Sequence, residues 1–272
     1  MKAMFYDCES LISLDLSNWD VSNVIDIVYL SGNGYCGLFE DCYNLKYIKG
    51  ISDWDVGNVT DMRGMFKNCY QFTQLDVSEW DTNNVTNMNG MFYNCSQLTQ
   101  LDLSNWDTSS VTTMNSMFNS CSQLTQLDAS NWDVSKVTTM YSMFNTCPQL
   151  TQLDVSNWDT KNVTEMSGMF TNCSSLKKIK ILNQQTLSQL IEQLPIKSEA
   201  NKSYLFTNDI FPNEKYWESI IIKEKQIDLI LPQPLRHIGN VSDKLYWDND
   251  KGHYCIEVNI NEDLTIKDTP QM

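Results

Sequence analysis

Asp76, Asp102, Asp128 and Asp154 recur at intervals of 26 residues, and Asp15 is an earlier copy of the same position. Each follows Leu75, Leu101, Leu127 or Leu153 and precedes a second apolar residue. That period-two alternation puts the carboxylates on the outward face of successive strands. At the strand spacing of about 4.8 Å, neighbouring carboxylates repel by roughly 0.8 kcal/mol in water before screening. Such a row is either a solvated polar face or a strip that favours cations and basic ligands. Gln74, Gln100, Gln126 and Gln152 lie two residues before the carboxylates, and Ser78, Ser104, Ser130 and Ser156 two residues after them, on the same face. These three rows are the candidate ligand-binding strip. A second acidic column, Asp20, Asp55, Asp81, Asp107, Asp133 and Asp159, follows a Trp in each copy and fits turn residues whose carboxylates accept backbone N–H bonds.

Other chemistry finds little footing. Glycoside hydrolysis needs two carboxyl groups of different pKa, and a row of identical environments does not separate an acid from a base. Only two histidines occur, His237 and His253, with no nucleophile motif and no phosphate-binding glycine loop, so neither an enzyme nor a cofactor is expected. The run from Asp248 to Gly252 resembles the start of a calcium loop, but the downstream bidentate Glu is missing and a plain turn is the better reading. Cys8, Cys42, Cys69, Cys95, Cys121, Cys147 and Cys173 share one place in the repeat. Stacked parallel side chains seldom reach disulfide geometry, so these read as thiols used as small buried hydrophobes. Their spacing excludes a zinc site, and no metal is expected. Thr60, Thr86, Thr112, Thr138 and Thr164 form a structural column, and the Asn-x-Thr sequons at Asn58, Asn84 and Asn162 fall at repeat positions.

The elements that must hold the strip are written into the same period. One copy reads Leu98-x-x-Leu101-x-Leu103-x-x-Trp106, then Val111-x-x-Met114-x-x-Met117-Phe118-x-x-Cys121. The first half is a strand. In the second, Met114, Met117, Phe118 and Cys121 sit at i, i+3, i+4 and i+7, the apolar stripe of a short helical turn. A fixed period of this size marks a solenoid whose repeats bury their apolar faces against one another.

The phrase resembles the leucine-rich repeat, and the copies at 101–114 and 91–95 resemble the 26-residue, BspA-type repeat of bacterial surface proteins over residues 1–182. Where the general repeat carries a ladder Asn, this chain has Trp19, Trp54, Trp80, Trp106, Trp132 and Trp158. A buried Trp removes on the order of 150–250 Å² from water, so a stack of indoles is expected as a main stabilising column.

The net charge is −15, and between Gln71 and Ser174 ten Asp or Glu stand against two Lys, a local balance of −8. Nucleic acids and anionic membranes require the opposite sign. No apolar stretch is long enough to span a membrane, and Asp7 and Glu9 leave no room for a secretory h-region. Met4, Phe5 and Cys8 match Met91, Phe92 and Cys95, so the chain opens inside a repeat and an end covered by upstream protein or a partner is expected. The next repeat carries about eight extra residues, Val28 to Tyr35, an aromatic insertion in which Tyr29 and Tyr35 are possible loop contacts. One further residue at Gly50 predicts a bulge.

After Cys173, Leu176, Ile179 and Ile181 supply a strand, Leu187, Leu190, Ile191 and Leu194 a helix, Tyr204 to Phe206 a strand, Pro212 to Lys225 a helix and Gln226 to Leu231 a strand. A hairpin follows at Lys244 to Ile260. The segments 234–248, 251–257 and 268–271 resemble a module of tail and minor structural proteins of phages infecting Gram-positive bacteria, in which more chain usually follows.

The expected fold class is α/β: a leucine-rich-repeat solenoid with a continuous parallel β-sheet on its concave face, short helical turns behind it and a small C-terminal β-hairpin module. Its expected parts are the repeats at 1–182, degenerate capping repeats at 183–232 and the hairpin module at 233–272. The expected function is non-enzymatic recognition of a bacterial surface protein or wall polysaccharide, by a protein of a phage tail or the cell surface that also meets other tail proteins. A BspA-like adhesin and a passive spacer are the alternatives.

Overall fold

The computed structural model describes residues 1–32, 34–176 and 178–180, positions 186, 189, 190 and 193, and the strands at 204–207, 217–222, 225–230, 241–248 and 253–258. Leu14, Leu127 and Leu153 sit at the centres of three-residue strands because each repeat must turn again almost at once. β1 (Ser13–Asp15), β2 (Tyr29–Ser31), β3 (Gly34–Cys36) and β4 (Tyr47–Lys49) precede β5 (Gln126–Asp128), β6 (Gln152–Asp154) and β7 (Lys178–Lys180). β1 pairs in parallel with β4, Leu14 opposite Ile48. β5, β6 and β7 are parallel as well, with Gln152 between Gln126 and Lys178, and Asp154 between Asp128 and Lys180. The sheet is not continuous. Between β4 and β5 no ladder forms: Thr99 donates to Thr73 O, and Thr125 to Thr99 O, through both its N–H and its hydroxyl, each at 3.3 Å.

A second ladder runs beside the first. Isolated parallel bridges link Asp26, Asp61, Asn87, Thr113, Thr139 and Glu165, each to the next. From this ladder to the Cys, the expected helical turn is replaced by consecutive tight turns. Met117 N donates to Met114 O (3.3 Å) and Cys121 N to Phe118 O (3.1 Å), three residues back. The N–H groups of Met114, Ser116, Phe118 and Ser120 instead donate to the carbonyls of Thr139, Tyr141, Met143 and Asn145 in the next repeat, at 2.7–3.1 Å. Alternate donors are thus used between repeats, where a helix would spend them within one. The turns need left-handed residues, with φ of 54° at Ser116 and 63° at Ser120, and Gly64 and Gly90 take the Ser116 place in earlier copies. The Ser120 place is also occupied by Asp41, Asn68 and Asn94, whose side chains make a polar ladder: Asn68 Nδ2 donates to Asp41 Oδ1 (2.7 Å) and Asn94 Nδ2 to Asn68 Oδ1 (3.0 Å).

Three columns fill the interior. Phe5, Phe39, Phe66, Phe92, Phe118, Phe144 and Phe170 stack face to face, centroids 5.3–5.8 Å apart. Trp80, Trp106, Trp132 and Trp158 are buried, and each indole donates to a carbonyl of the preceding repeat, Trp106 Nε1 to Val77 O at 2.9 Å for instance. The Cys69, Cys95, Cys121 and Cys147 sulfurs lie 3.1 Å from the Phe39, Phe66, Phe92 and Phe118 carbonyls, to which the thiols donate. Burial raises their pKa well above that of an ordinary thiol and that of Cys42 to about 12, so they behave as inert packing groups.

Beyond Cys173 the pattern loosens. Thr186, Gln189 and Leu190 are helical and Leu190 is buried, while Ile181, Leu187, Ile191 and Leu194 lie outside the described residues. β8 (Tyr204–Thr207) continues the parallel sheet from β7, and β10 (Lys225–Ile230) pairs in parallel with β8. β9 (Trp217–Ile222) is antiparallel to β10, a strand where the spacing of Trp217, Ile220 and Ile221 predicts a helix. Both periods fit so short an apolar run, and pairing with β10 selects the strand. β11 (Val241–Asp248) and β12 (His253–Val258) are antiparallel, Asp248 opposite His253; residues 249–252, like the calcium-loop resemblance resting on them, lie outside the described residues, as do His237 and 259–272.

Candidate functional site

The Gln and Asp rows meet in one groove. Gln74, Asp76, Gln100, Asp102, Gln126, Asp128, Gln152 and Asp154 line a cavity of about 700 Å³, floored by Leu75, Leu101, Leu127 and Leu153. The parallel register puts Gln opposite Gln and Asp opposite Asp, and Gln152 Nε2 donates to Gln126 Oε1 across the rows. An amide offers donors and an acceptor and a carboxylate only acceptors, while Leu101, Leu127 and Leu153 between them belong to the buried core. The groove therefore presents the same two polar chemistries at each successive repeat.

The Ser row is not part of that surface. Ser104 N and Oγ donate to Asp102 Oδ1 at 3.0 and 2.7 Å, and Ser78 makes the same pair of bonds to Asp76 at 3.3 and 2.9 Å. Ser130 N reaches Asp128 Oδ1 at 2.9 Å, and both the N–H and the hydroxyl of Ser156, itself buried, donate to Asp154. The Ser78, Ser104 and Ser156 hydroxyls turn back to cap the strand end, and none of the four Ser lines the groove. The backbone and hydroxyl bonds from Ser104 hold the Asp102 carboxyl below the usual carboxylate range. Asp102 thus stays ionised while doing two jobs, closing a turn and lining the groove. In the post-Trp column Asp107 and Asp133 accept from Ser109 N and Ser135 N, each at 2.9 Å, and Asp20 from Ser22, so both acidic columns cap turns. Asp15, the earlier copy, is engaged by Lys49 Nζ at 2.8 Å as well as by Ser17, which places its carboxyl well below the usual range.

The insertion lies elsewhere. β2 and β3 form a two-stranded hairpin, Leu30 opposite Tyr35. The Tyr35 ring rests against Gly64, with the Arg63 guanidinium 5.3 Å and the Lys67 ammonium 5.7 Å from its centroid, and its hydroxyl reaches the Gly90 turn. Burial raises the Tyr35 pKa. The ring is a clamp on the turn side of the repeats and not a free contact. Beneath it, buried Glu40 accepts from Gly37 N (2.7 Å) and Lys67 Nζ (2.5 Å). Tyr29, by contrast, is exposed, as is Leu30. The rows of Asn, read from the sequence only as weak sequons, serve the stack: Asn58, Asn84 and Asn162 donate to the Ser22, Gly57 and Ser135 carbonyls of the preceding repeat at 2.6–2.7 Å. The Thr column does the same, Thr112 Oγ1 to Thr86 O at 3.0 Å. Among the described residues no group of His, Cys, Asp or Glu is placed to hold a metal ion, and no helix is long and apolar enough to cross a membrane.

The geometry defines a stacked-repeat protein with a polar groove built from one residue pair per repeat. The chain belongs to the family described as Mycoplasma protein of unknown function, DUF285, which matches residues 1–123 and 96–204. Comparison with curated proteins gives no match.

Proposed function

We propose that this chain is a non-enzymatic recognition module: a leucine-rich-repeat solenoid of the BspA type that binds a bacterial surface component, protein or polysaccharide, in the Gln–Asp groove. The observation that carries the reading is the convergence of Gln74, Gln100, Gln126 and Gln152 with Asp76, Asp102, Asp128 and Asp154 in one cavity of about 700 Å³. A surface that repeats amide and carboxylate at each step suits a ligand that itself repeats. Because the repeats are fixed by cross-repeat bonds, little ordering cost is left at binding. The resemblance of 234–271 to phage tail proteins favours a tail-associated carrier. That segment lies beyond the family match, which ends at 204, and the BspA-type repeat favours the bacterial cell surface instead.

Changing Asp102 and Asp128 together to Asn tests the reading. The amide oxygen can still accept from Ser104 N and Ser130 N, so the turns remain closed while the charge is lost. Binding of the purified protein to whole bacterial cells and to their soluble surface polysaccharide is expected to fall, with the melting temperature nearly unchanged. Undiminished binding by the folded double variant would falsify the groove as the site.

A further inference from the structure

Along the groove the fold uses one oxygen of each carboxylate and leaves the other. Ser78 and Ser104 donate both N–H and hydroxyl to Oδ1 of Asp76 and Asp102, and Ser130 N donates to Oδ1 of Asp128. Among the described residues nothing donates to Oδ2 of these three, and no Lys or Arg lies within ion-pair distance of them. All three are exposed along the groove. Asp15 is the same group with its second oxygen filled. Its Oδ1 accepts from Ser17 N at 3.1 Å and Ser17 Oγ at 2.7 Å, while Oδ2 accepts from Lys49 Nζ at 2.8 Å, Lys49 standing opposite in β4. Asp102 has Asp76 and Asp128 as its row neighbours, where Asp15 has that lysine.

We infer that the groove takes a polysaccharide bearing free primary amines, whose ammonium groups meet Oδ2 of Asp76, Asp102 and Asp128 as Lys49 meets that of Asp15; this rests on the groove being the recognition site. The ammonium follows from the molecule's own example and from the sign of the charge, since a row of carboxylates repels a polyanionic polymer. One exposed ion pair adds little alone, so affinity must come from several amines engaged together. The polymer follows from regularity. The carboxylates recur at about 4.8 Å, and on each strand Gln74, Gln100 or Gln126 stands two residues, about 6.6 Å, from its carboxylate. Each step thus calls for one cation and, beside it, a neutral group that both donates and accepts. An amino sugar carries both on one ring, an ammonium and hydroxyls, and a chain of such sugars supplies the pair at every step. A lysine side chain supplies the cation without the neutral partner.

The test titrates the full chain into three fluorescently labelled probes and reads anisotropy: a glucosamine hexamer, its N-acetylated counterpart, and hexalysine. Acetylation removes the charge and keeps the ring hydroxyls and length. The glucosamine hexamer is expected to bind, the acetylated one not, and hexalysine more weakly. Asp102→Asn with Asp128→Asn should weaken glucosamine binding about tenfold, while Asp107→Asn with Asp133→Asn, the same loss of charge outside the groove, should leave it within about twofold. Equal weakening by the two pairs overturns the inference, because net charge alone would then explain binding. So does equal binding of the acetylated hexamer. Tighter binding of hexalysine through Asp102 and Asp128 overturns the polysaccharide in favour of a basic protein segment. Whole-cell binding by the Asp102, Asp128 variant separates this inference from the reading beneath it. If cell binding falls with those carboxylates and the glucosamine hexamer does not bind, the groove stands and the amine-bearing ligand falls; if neither depends on them, both fall.

Discussion

The repeats from Gln71 to Cys173 and the stretch from Asp20 to Phe66 are built from the same phrase, and they differ in how completely it is satisfied. In the regular repeats each indole N–H and thiol, and every second turn donor, finds its partner one repeat away. In the earlier stretch the insertion and Gly50 displace that bookkeeping. Trp54 Nε1 is buried with no partner among the described residues, although Trp54 occupies the same column as Trp106. Gly50, at φ 78°, packs so closely on Ser17 that a Cβ would lie 2.4 Å from its Cα. Gly37 approaches the Gly64 carbonyl where its later counterparts have room for a Ser. Repetition gives satisfaction at no design cost, whereas each irregular residue must be accommodated by a local substitute, here the Tyr35 clamp and the Glu40–Lys67 pair.

The sharpest way to break the comparison is one substitution made in both regions. A Cβ at Gly37 would lie 2.0 Å from Gly64 O, while at Gly90 the nearest atoms are 3.6 Å away and the same place holds Ser116 in the next repeat. Gly37→Ser is expected to destabilise the protein by about 3 kcal/mol or more, because backbone cannot give way as a side chain can. Gly90→Ser should cost less than about 1 kcal/mol. Denaturant midpoints of the two variants measure the gap, and equal losses would mean that the close approach of repeats at Gly37 is not real.

A smaller effect should separate the two Trp sites. Trp106→Phe removes a donor and leaves Val77 O without it, whereas Trp54→Phe removes a donor that has no acceptor. Val77 O keeps the N–H of Trp80 at 3.3 Å, so the first is expected to cost about 0.5–1.5 kcal/mol more than the second, the net worth of one hydrogen bond. Thermal melts of both variants check the difference, and a larger loss at Trp54 would contradict the view that the irregular repeat is the less satisfied one.

The interior columns of Trp, Met, Phe and Cys are legible in the sequence because a 26-residue period leaves each type only one place to go. What that period cannot disclose is where the backbone donors point. Met114, Met117, Phe118 and Cys121 fit a helical stripe, but the same four residues are equally buried by turns whose N–H groups cross to the next repeat. The Ser row illustrates the same blindness in the groove: alternation puts Ser104 on the face of Asp102 and does not reveal that its hydroxyl is used by that very carboxylate. Tyr35 was readable as an aromatic in an insertion, and only the nearness of Arg63, Lys67 and Gly64 shows that it is spent on packing. The Asn58 and Asn84 rungs were written in the period and carried a signal that sequon spacing disguised.

The central claim is that the groove face of the regular repeats, and not their turns or the insertion, meets the ligand. Carbodiimide-driven labelling of carboxylates, read by mass spectrometry with and without saturating bacterial surface polysaccharide, compares the two acidic columns within one molecule. Asp102 and Asp128 line the groove, and Asp107 and Asp133 cap turns outside it. The account predicts that bound polymer protects Asp102 and Asp128 and leaves the labelling of Asp107 and Asp133 unchanged. Protection of Asp107 and Asp133 with Asp102 and Asp128 still labelled would contradict it.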